Sequence, residues 1–178
     1  MSTLLSKRYA QAIFDAAIKL DKVETIYEDL TALGNIVRSS EEFKAFITNP
    51  ALKQAYRDEI LVKLFKDRCD SLTTKFLLFL SFKGRLDILS YICLAFEDFY
   101  LAHKNIIKIK IISSSPLSTQ QVNAISQHLK LRWRKEVQSE VVVRPELIGG
   151  IKIQIGDQIH DSSIFHILES FREQIVHA

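Results

Sequence analysis

The amino-acid sequence predicts an α+β protein. An N-terminal six-helix antiparallel bundle is followed by a small C-terminal α/β domain with a mixed sheet and two helices. From residue 4 to about residue 104, apolar side chains recur at helical spacing. After Asn105, the isoleucines from Ile107 to Ile111 alternate with lysines, which is the period of a half-buried strand. This change of period predicts two domains, residues 1–104 and residues 105–178.

Start and stop signals outline the helices of the first domain. Asn49-Pro50 predicts the start of the fourth helix, because a cap residue is followed by proline at the first helical position. Asp70 or Ser71 starts the fifth helix, and Gly84 follows its end. The short loops between the six helices predict an antiparallel arrangement. The other helices start near Leu4, Val23, Glu41 and Leu86.

The fifth helix is apolar around nearly its whole circumference. A surface helix of a bundle needs only one apolar stripe, roughly 100° wide. Two interpretations stay open: a central helix buried on all sides, or a helix that packs in the bundle on one side and receives a partner helix on another. The apolar residues are Phe76, Leu77, Leu78, Phe79, Leu80 and Phe82.

In the second domain, Ser118 and Gln121 have the spacing of a capping box and start a seventh helix. Its apolar stripe ends at Trp133, within the basic segment Lys130–Lys135. Basic residues around an aromatic ring can bind phosphates and stack a base, so an RNA-binding helical module is the alternative function. A core tryptophan, with charges that complement the helix dipole, is the competing interpretation.

The segment of residues 141–163 holds three of the five glycines and predicts strands. Gly149 and Gly150 predict a turn or bulge between two strands, because glycine adopts φ > 0 without a Cβ clash. Gly156 with Asp157 predicts a tight hairpin turn. Asp161 or Ser162 is expected to cap a last amphipathic helix. That helix would bury Ile164, Ile167, Leu168, Phe171 and Ile175.

Composition excludes several classes of protein. The chain has 178 residues, 47% of them hydrophobic, which excludes a disordered protein. A net charge of +3 is small for a dedicated nucleic-acid binder. No apolar run approaches the roughly 20 residues of a membrane-spanning helix. Cys69 and Cys93 lie in helical patterns and are expected to be buried free thiols.

The sequence contains no motif for catalysis or for a cofactor. No two of the five histidines have the i, i+4 spacing of a helical zinc pair. Gly149-Gly150 lacks the spaced glycines and the Lys-Ser/Thr of a phosphate-binding loop. We therefore expect no catalytic residue, no metal site and no cofactor.

Four segments resemble the delta subunit of bacterial F-type ATP synthase, the counterpart of the mitochondrial oligomycin-sensitivity-conferring protein. In order along the chain, they are SKRYAQAIFDAA, FKGRL, SSSPLS and PELIGGIKIQIGDQIHDSSI. In the second segment, Lys83-Gly84 stands where Asn-Lys or Asn-Gly is common in the family. The resemblance covers nearly the whole chain.

The resemblance implies a non-catalytic stator subunit of the proton-translocating ATP synthase. Such a subunit links the peripheral stalk to the catalytic head, so that rotor torque is converted to ATP synthesis. Domain 1–104 would bind alpha subunits of the head, and domain 105–178 would bind the b subunits of the stalk. The absence of a transit peptide suggests the cytoplasmic face of a bacterial membrane, with membrane contact only through the complex and no direct nucleic-acid partner.

The resemblance also implies a groove for an alpha-subunit helix between the first and fifth helices. Tyr9, Ala12 and Phe79 fall in the two helices that form this groove in the family. Ala16 and Phe82 extend the two helical faces. We expect an amphipathic helix to dock there through apolar anchors, while the small alanines allow close approach.

Overall fold

The chain divides into two compact units, Met1–Tyr100 and Leu101–Ala178. The structure is a computed structural model and describes residues 2–156, 158–166 and 168. Helices and a four-stranded mixed sheet make it an α+β protein. The division between the two units falls within the last helix before the sheet, which continues to His103, a few residues before the change of period at Asn105.

The first unit is built from helices. Asp70 caps the fifth of them, since its Oδ1 accepts a hydrogen bond from Leu72 N at 2.8 Å. Gly84 follows the end of that helix with φ at 62°, as its C-terminal glycine signal predicts. The elements are α1 (Ser2–Lys19), α2 (Val23–Ser39), α3 (Glu41–Thr48), α4 (Gln54–Phe65), α5 (Ser71–Phe82), a 3₁₀ turn (Leu86–Ile88) and α6 (Leu89–His103).

Helix α4 begins later than the sequence predicts. Asn49 Oδ1 accepts a hydrogen bond from Ala51 N at 2.9 Å, so Asn49 closes a turn of its own instead of capping α4. Lys53 remains extended, and α4 starts at Gln54. The signal Asn-Pro therefore marks a turn before the helix, because asparagine favours both structures.

One apolar core holds the first unit together. Helix α1 contributes a buried face of Ala10, Ile13, Phe14 and Ala17. Phe14 packs edge-on against Phe96 of α6, with ring centroids 5.5 Å apart. The largest fully buried side chains of this core are Ile26, Leu30, Leu33, Leu61, Leu77, Leu80, Leu86, Leu89, Ile92 and Phe96.

The second unit consists of β1 (Ile106–Ser113), α7 (Thr119–Trp133), β2 (Glu136–Val143), a 3₁₀ turn (Pro145–Leu147), β3 (Gly150–Ile155) and β4 (Gln158–Ser163). Strand order is β2-β1-β3-β4; β1 is parallel to β2 and antiparallel to β3, and β3 and β4 form an antiparallel hairpin. The parallel pair is connected through α7, the usual solution for parallel neighbours.

The core of the second unit lies between α7 and the central strand. Ile109 and Ile111 of β1 pack with Leu129 of α7. Helix α7 starts as predicted, because Ser118 and Gln121 form both hydrogen bonds of a capping box. Half-buried residues surround this small core, among them Ile107, Val122, Ile125, Trp133, Val137, Ile153 and Ile155.

The predicted cap after β4 is wrong by one residue. Strand β4 continues through Asp161 and Ser162 to Ser163, whose Oγ accepts a hydrogen bond from His166 N at 3.2 Å. Asp161 Oδ1 instead accepts from Ser163 N at 3.0 Å. Ile164 and Leu168 of the predicted last helix are described; Asp157 of the hairpin turn and Ile167, Phe171 and Ile175 lie outside the described residues.

Candidate functional site

An apolar surface is formed where α1 meets α5. The rings of Tyr9 and Phe79 contact each other edge to face, with centroids 6.2 Å apart and an interplanar angle of 63°. Phe79 is 45% exposed and Phe82, three residues later, is 65% exposed. Two aromatic side chains on one face of a helix thus remain open to solvent.

Helix α1 contributes Ala12 and Ala16, two small residues on the side of the helix that carries Tyr9. Ala12 is exposed and Ala16 is half-buried, whereas Tyr9 is half-buried and packs against the core. Because these three residues lie apart from the fully buried face of α1, a second chain can approach the α1 backbone closely. We name Tyr9, Ala12, Ala16, Phe79 and Phe82 together the α1/α5 surface.

Helix α5 has two apolar faces. Phe76, Leu77 and Leu80 are buried in the core, whereas Phe79 and Phe82 face solvent. The interpretation of α5 as a helix buried on all sides is therefore wrong. Lys83 lies beside the exposed rings, with its Nζ 5.7 Å from the ring centroid of Phe79 and 5.2 Å from that of Phe82.

A second apolar surface lies where β2 leads into β3, and sequence reasoning missed its central residue. Ile148 is 63% exposed and has φ at 63° and ψ at −46°. Gly149 N donates to Leu147 O at 2.6 Å across it. A β-branched residue at positive φ is strained, and strain of this kind concentrates at binding sites. We name Ile148 together with Ile164 the Ile148 surface, since Ile164 is exposed and its amide donates to Gly149 O.

Gly149 and Gly150 allow the turn that carries Ile148 to pack closely against the residues at the end of β4. Gly150 has φ at 80°, and a Cβ there would lie 2.4 Å from Ser162 O. A Cβ on Gly149 would lie 2.6 Å from Ile164 Cδ1, although its φ is not positive. Gly149 O accepts from Ile164 N at 3.0 Å, which ties the turn to the residues after β4. Gly156 has φ at 55° with open space around it, so only its backbone conformation requires glycine.

The basic segment Lys130–Lys135 does not form a stacking site. Trp133 packs against the core of the second unit. Lys130 forms an ion pair with Glu136. The aromatic ring that would stack a base is therefore used in packing, and the RNA-binding alternative has no support.

Both cysteines are free thiols; Cys69 is half-buried and Cys93 is buried. Burial raises the pKa of Cys69 to about 11 and that of Cys93 to about 12, so both thiols stay protonated and unreactive at neutral pH. Within the described ranges, no group of three or more His, Cys, Asp or Glu side chains could hold a metal ion. Nor is any helix there both long and apolar enough to cross a membrane.

Known proteins match this chain over nearly its whole length. The family model "ATP synthase delta (OSCP) subunit" matches residues 5–175. ATP synthase subunit delta of Acetivibrio thermocellus is 31% identical over 176 residues, covering 97% of this chain and 98% of the relative. The same subunit of Syntrophomonas wolfei is 30% identical over 174 residues, covering 98% and 96%.

Solved structures give the same result. A chain in the mitochondrial ATP synthase hexamer of Toxoplasma gondii superimposes with a TM-score of 0.77, at 27% identity and 97% coverage of both chains. A chain in the Polytomella F-ATP synthase shares the fold over 56% of this chain and 88% of its own, with a TM-score of 0.52 and 23% identity. The chain therefore belongs to the ATP synthase delta (OSCP) subunit family, and it is a non-catalytic stator component of the peripheral stalk of F-type ATP synthase.

Proposed function

We propose that the chain joins the two static parts of the synthase through separate domains. Residues 1–104, folded as a six-helix antiparallel bundle, bind alpha subunits of the catalytic head. Residues 105–178 bind the b subunits of the peripheral stalk. The complex holds the chain at the cytoplasmic face of a bacterial membrane. The observation that carries the head-binding role is the exposed pair Phe79 and Phe82 beside Tyr9.

The α1/α5 surface fits one amphipathic helix. Phe79 and Phe82 are one turn apart and supply two apolar anchors on α5. Ala12 and Ala16 are also about one turn apart and leave room for a helix backbone on the α1 side. The N-terminal helix of an alpha subunit would bury its apolar face against both rows.

The mechanical task favours apolar docking. A stator must remain attached while the rotor applies torque, and exposed ion pairs contribute only about 0–1 kcal/mol each. Buried aromatic anchors dominate the energy of most protein interfaces. Two half-exposed phenylalanines on a folded helix meet this requirement without the cost of ordering a loop.

The Ile148 surface is our candidate for the b subunits. Ile148 is exposed on its turn, and Ile164 is exposed beside Gly149 of the same turn. Holding an isoleucine at positive φ costs about 1–3 kcal/mol, and strain of this size is found mostly at functional sites. Burial of Ile148 against the end of a b helix would give that conformation a function.

Phe79→Asp tests the head-binding surface. The substitution buries an unpaired carboxylate in the complex, whereas in the free protein this carboxylate stays in water. We expect affinity for a synthetic alpha N-terminal peptide to fall more than about a hundredfold, or about 2.7 kcal/mol, in isothermal titration calorimetry. A thermal melt should show that the variant remains folded.

Tyr91→Asp is the matched control, because Tyr91 is an aromatic residue of the same unit with similar exposure. It should leave peptide affinity within about twofold of wild type, a change of about 0.4 kcal/mol. Unchanged affinity in Phe79→Asp, or an equal loss in both variants, would remove the α1/α5 surface from the alpha-binding site.

Ile148→Gly tests the b-binding surface. Glycine relieves the strain at φ 63°, so the second unit should be at least as stable as wild type in a thermal melt. Loss of the isoleucine should weaken binding of a C-terminal b fragment by about tenfold or more, that is, about 1.4 kcal/mol. Leu131→Gly is the control, since Leu131 is strongly exposed on α7 outside this surface. Unchanged b affinity in Ile148→Gly would contradict the assignment.

A further inference from the structure

Two lysines lie on either side of the apolar anchors of α5. Lys75, Phe79 and Lys83 are spaced four residues apart, so they follow one another along one side of the helix. Lys83 directly follows the last residue of α5 and keeps helical φ and ψ angles. All three side chains are exposed, as is the second anchor, Phe82. A helix that binds these anchors therefore meets a positive charge at each end of them.

The Lys83 ammonium lies directly over both anchors. Its Nζ is 5.7 Å from the ring centroid of Phe79 and 5.2 Å from that of Phe82. A helix that packs on the exposed sides of these rings comes into contact with this ammonium. A charge enclosed in an interface without a partner is costly, so the docking helix must supply one. The matching group is a carboxylate, which forms a charge-assisted hydrogen bond with an ammonium.

Lys83 has no carboxylate partner among the described residues. Helix α5 has no Asp or Glu over its length, Ser71–Phe82. Asp87 lines the same cleft as Lys83 at the end of α5, yet the two form no ion pair. The ammonium is thus available to a carboxylate from a second chain.

Helix α1 adds positive charge on the side that carries its two alanines. Arg8 and Lys19 each lie one helical turn from one of these alanines, and both are exposed. Asp15, the acidic residue of α1, accepts a hydrogen bond from Gln11 Nε2 at 2.7 Å. The α1/α5 surface is therefore an apolar strip with cations along its edges on both helices.

We propose that the α1/α5 surface selects an acidic amphipathic helix, in which a carboxylate lies about one turn from the apolar anchors and pairs with Lys83. The inference rests on the proposed head-binding function and adds the charge of the partner helix. The rings supply most of the affinity, whereas the charges at the edge supply selection and faster association. Lys75 attracts a second carboxylate at the other end of the anchors.

Calorimetric titration of the full chain with two synthetic peptides tests this pairing. One peptide is an alpha N-terminal helix, and the other is the same helix with Gln for each Glu and Asn for each Asp. Lys83→Glu should weaken binding of the acidic peptide by at least about tenfold, because it places like charges opposite each other. Lys66→Glu, the same change at an exposed residue after α4, should alter it less than about twofold. The two variants should bind the neutral peptide equally well.

Lys83→Gln keeps the test decisive if Lys83→Glu does not fold, since a glutamate at the end of α5 opposes the helix dipole. It should weaken binding of the acidic peptide about threefold or more. It should leave binding of the neutral peptide equal or tighter, because it removes the cation that covers the rings. Unchanged binding of the acidic peptide, or equal weakening of both peptides, would overturn the proposal. An alpha N-terminal helix without an acidic residue beside its apolar face would overturn it as well.

The Phe79→Asp variant separates this inference from the proposed function. If Phe79→Asp weakens binding but Lys83→Glu behaves like Lys66→Glu, selection by charge is wrong and the docking surface stands. If Phe79→Asp binds the peptide like wild type, the surface itself is wrong, and the pairing with Lys83 fails with it.

Discussion

The two units of the chain bury apolar side chains in different ways. The helical unit has one large core to which every helix from α1 to α6 contributes. Among the described residues of the sheet unit, only Ile109, Ile111 and Leu129 are buried apolar residues of its core, and the others around them are half-buried. A small core contributes little net stability. The free energy of unfolding of the sheet unit therefore depends more on its backbone conformation than that of the helical unit does.

Glycines show the same contrast. In the helical unit, Gly84 has positive φ but open space around it. In the sheet unit, Gly150 combines positive φ with a backbone atom 2.4 Å from the position of a Cβ. Gly34 of the helical unit has Cys93 Cβ 3.3 Å from the position of a Cβ, but its φ is not positive. Gly150 is therefore the described glycine at which both the backbone conformation and the surrounding space require the absence of a side chain.

Gly150→Val should produce the largest effect. Strain at positive φ costs about 1–3 kcal/mol, and overpacking against Ser162 O adds about 1–3 kcal/mol. We expect the sheet unit to lose hydrogen-exchange protection, while residues of α1 to α5 keep theirs in mass spectrometry.

Gly156→Ala is the control for conformation without a clash. Its φ of 55° costs about 1–2 kcal/mol for a residue with a Cβ, and nothing lies within reach of that Cβ. The sheet unit should weaken but keep its protection. If Gly150→Val melts like Gly156→Ala, or if both units lose protection together, the contrast between the units is wrong.

A pair of core truncations should produce the next largest effect. Leu80→Ala in α5 and Ile111→Ala in β1 each remove a fully buried side chain, at a cost of about 2–5 kcal/mol. Denaturant unfolding followed by hydrogen exchange should show a weakened but folded helical unit for Leu80→Ala. Ile111→Ala should unfold the sheet unit in water. A folded sheet unit in Ile111→Ala would mean that its stability does not rest on the small core.

Local signals in the sequence predict many of these elements. Asp70 and Gly84 bound α5, and Ser118 starts α7, because caps are read from neighbouring residues alone. Asn49 misleads, because asparagine serves turns as well as caps. Gln54, the first residue of α4, carries no start signal of its own. Element types are therefore predicted better than their ends.

The surfaces depend on tertiary packing and are harder to predict. The excess apolar circumference of α5 indicates an exposed face, and Phe79 and Phe82 form it. The outward position of Ile148 has no sequence signal apart from its place before Gly149-Gly150, because positive φ is unusual for isoleucine.

We expect the smallest effect from one partly buried aspartate in each unit, Asp70 in the helical unit and Asp161 in the sheet unit. Asp70 accepts hydrogen bonds from Lys22 Nζ at 2.7 Å and from Leu72 N at 2.8 Å, and the bond from Lys22 lowers the pKa of Asp70 most. Asp161 lies 3.2 Å from Lys152 Nζ. Burial raises the pKa of Asp161, but its bonds with Ser163 and Lys152 together bring it below the ordinary value.

Because both folded-state pKa values are lowered, both carboxylates stabilise their unit above pH ~4, the pKa of an unfolded aspartate. That stabilisation is lost as the pH falls through the lowered folded-state values. Asp70→Asn and Asp161→Asn keep an oxygen acceptor but remove the charge, so each should cost about 0.2–1 kcal/mol at pH 7. The cost should shrink toward zero below pH ~4 in denaturant unfolding monitored by hydrogen exchange. Each variant should lower the free energy of unfolding of its own unit only. A loss of stability that does not change with pH would show that the charge of Asp70 and of Asp161 does not stabilise the fold.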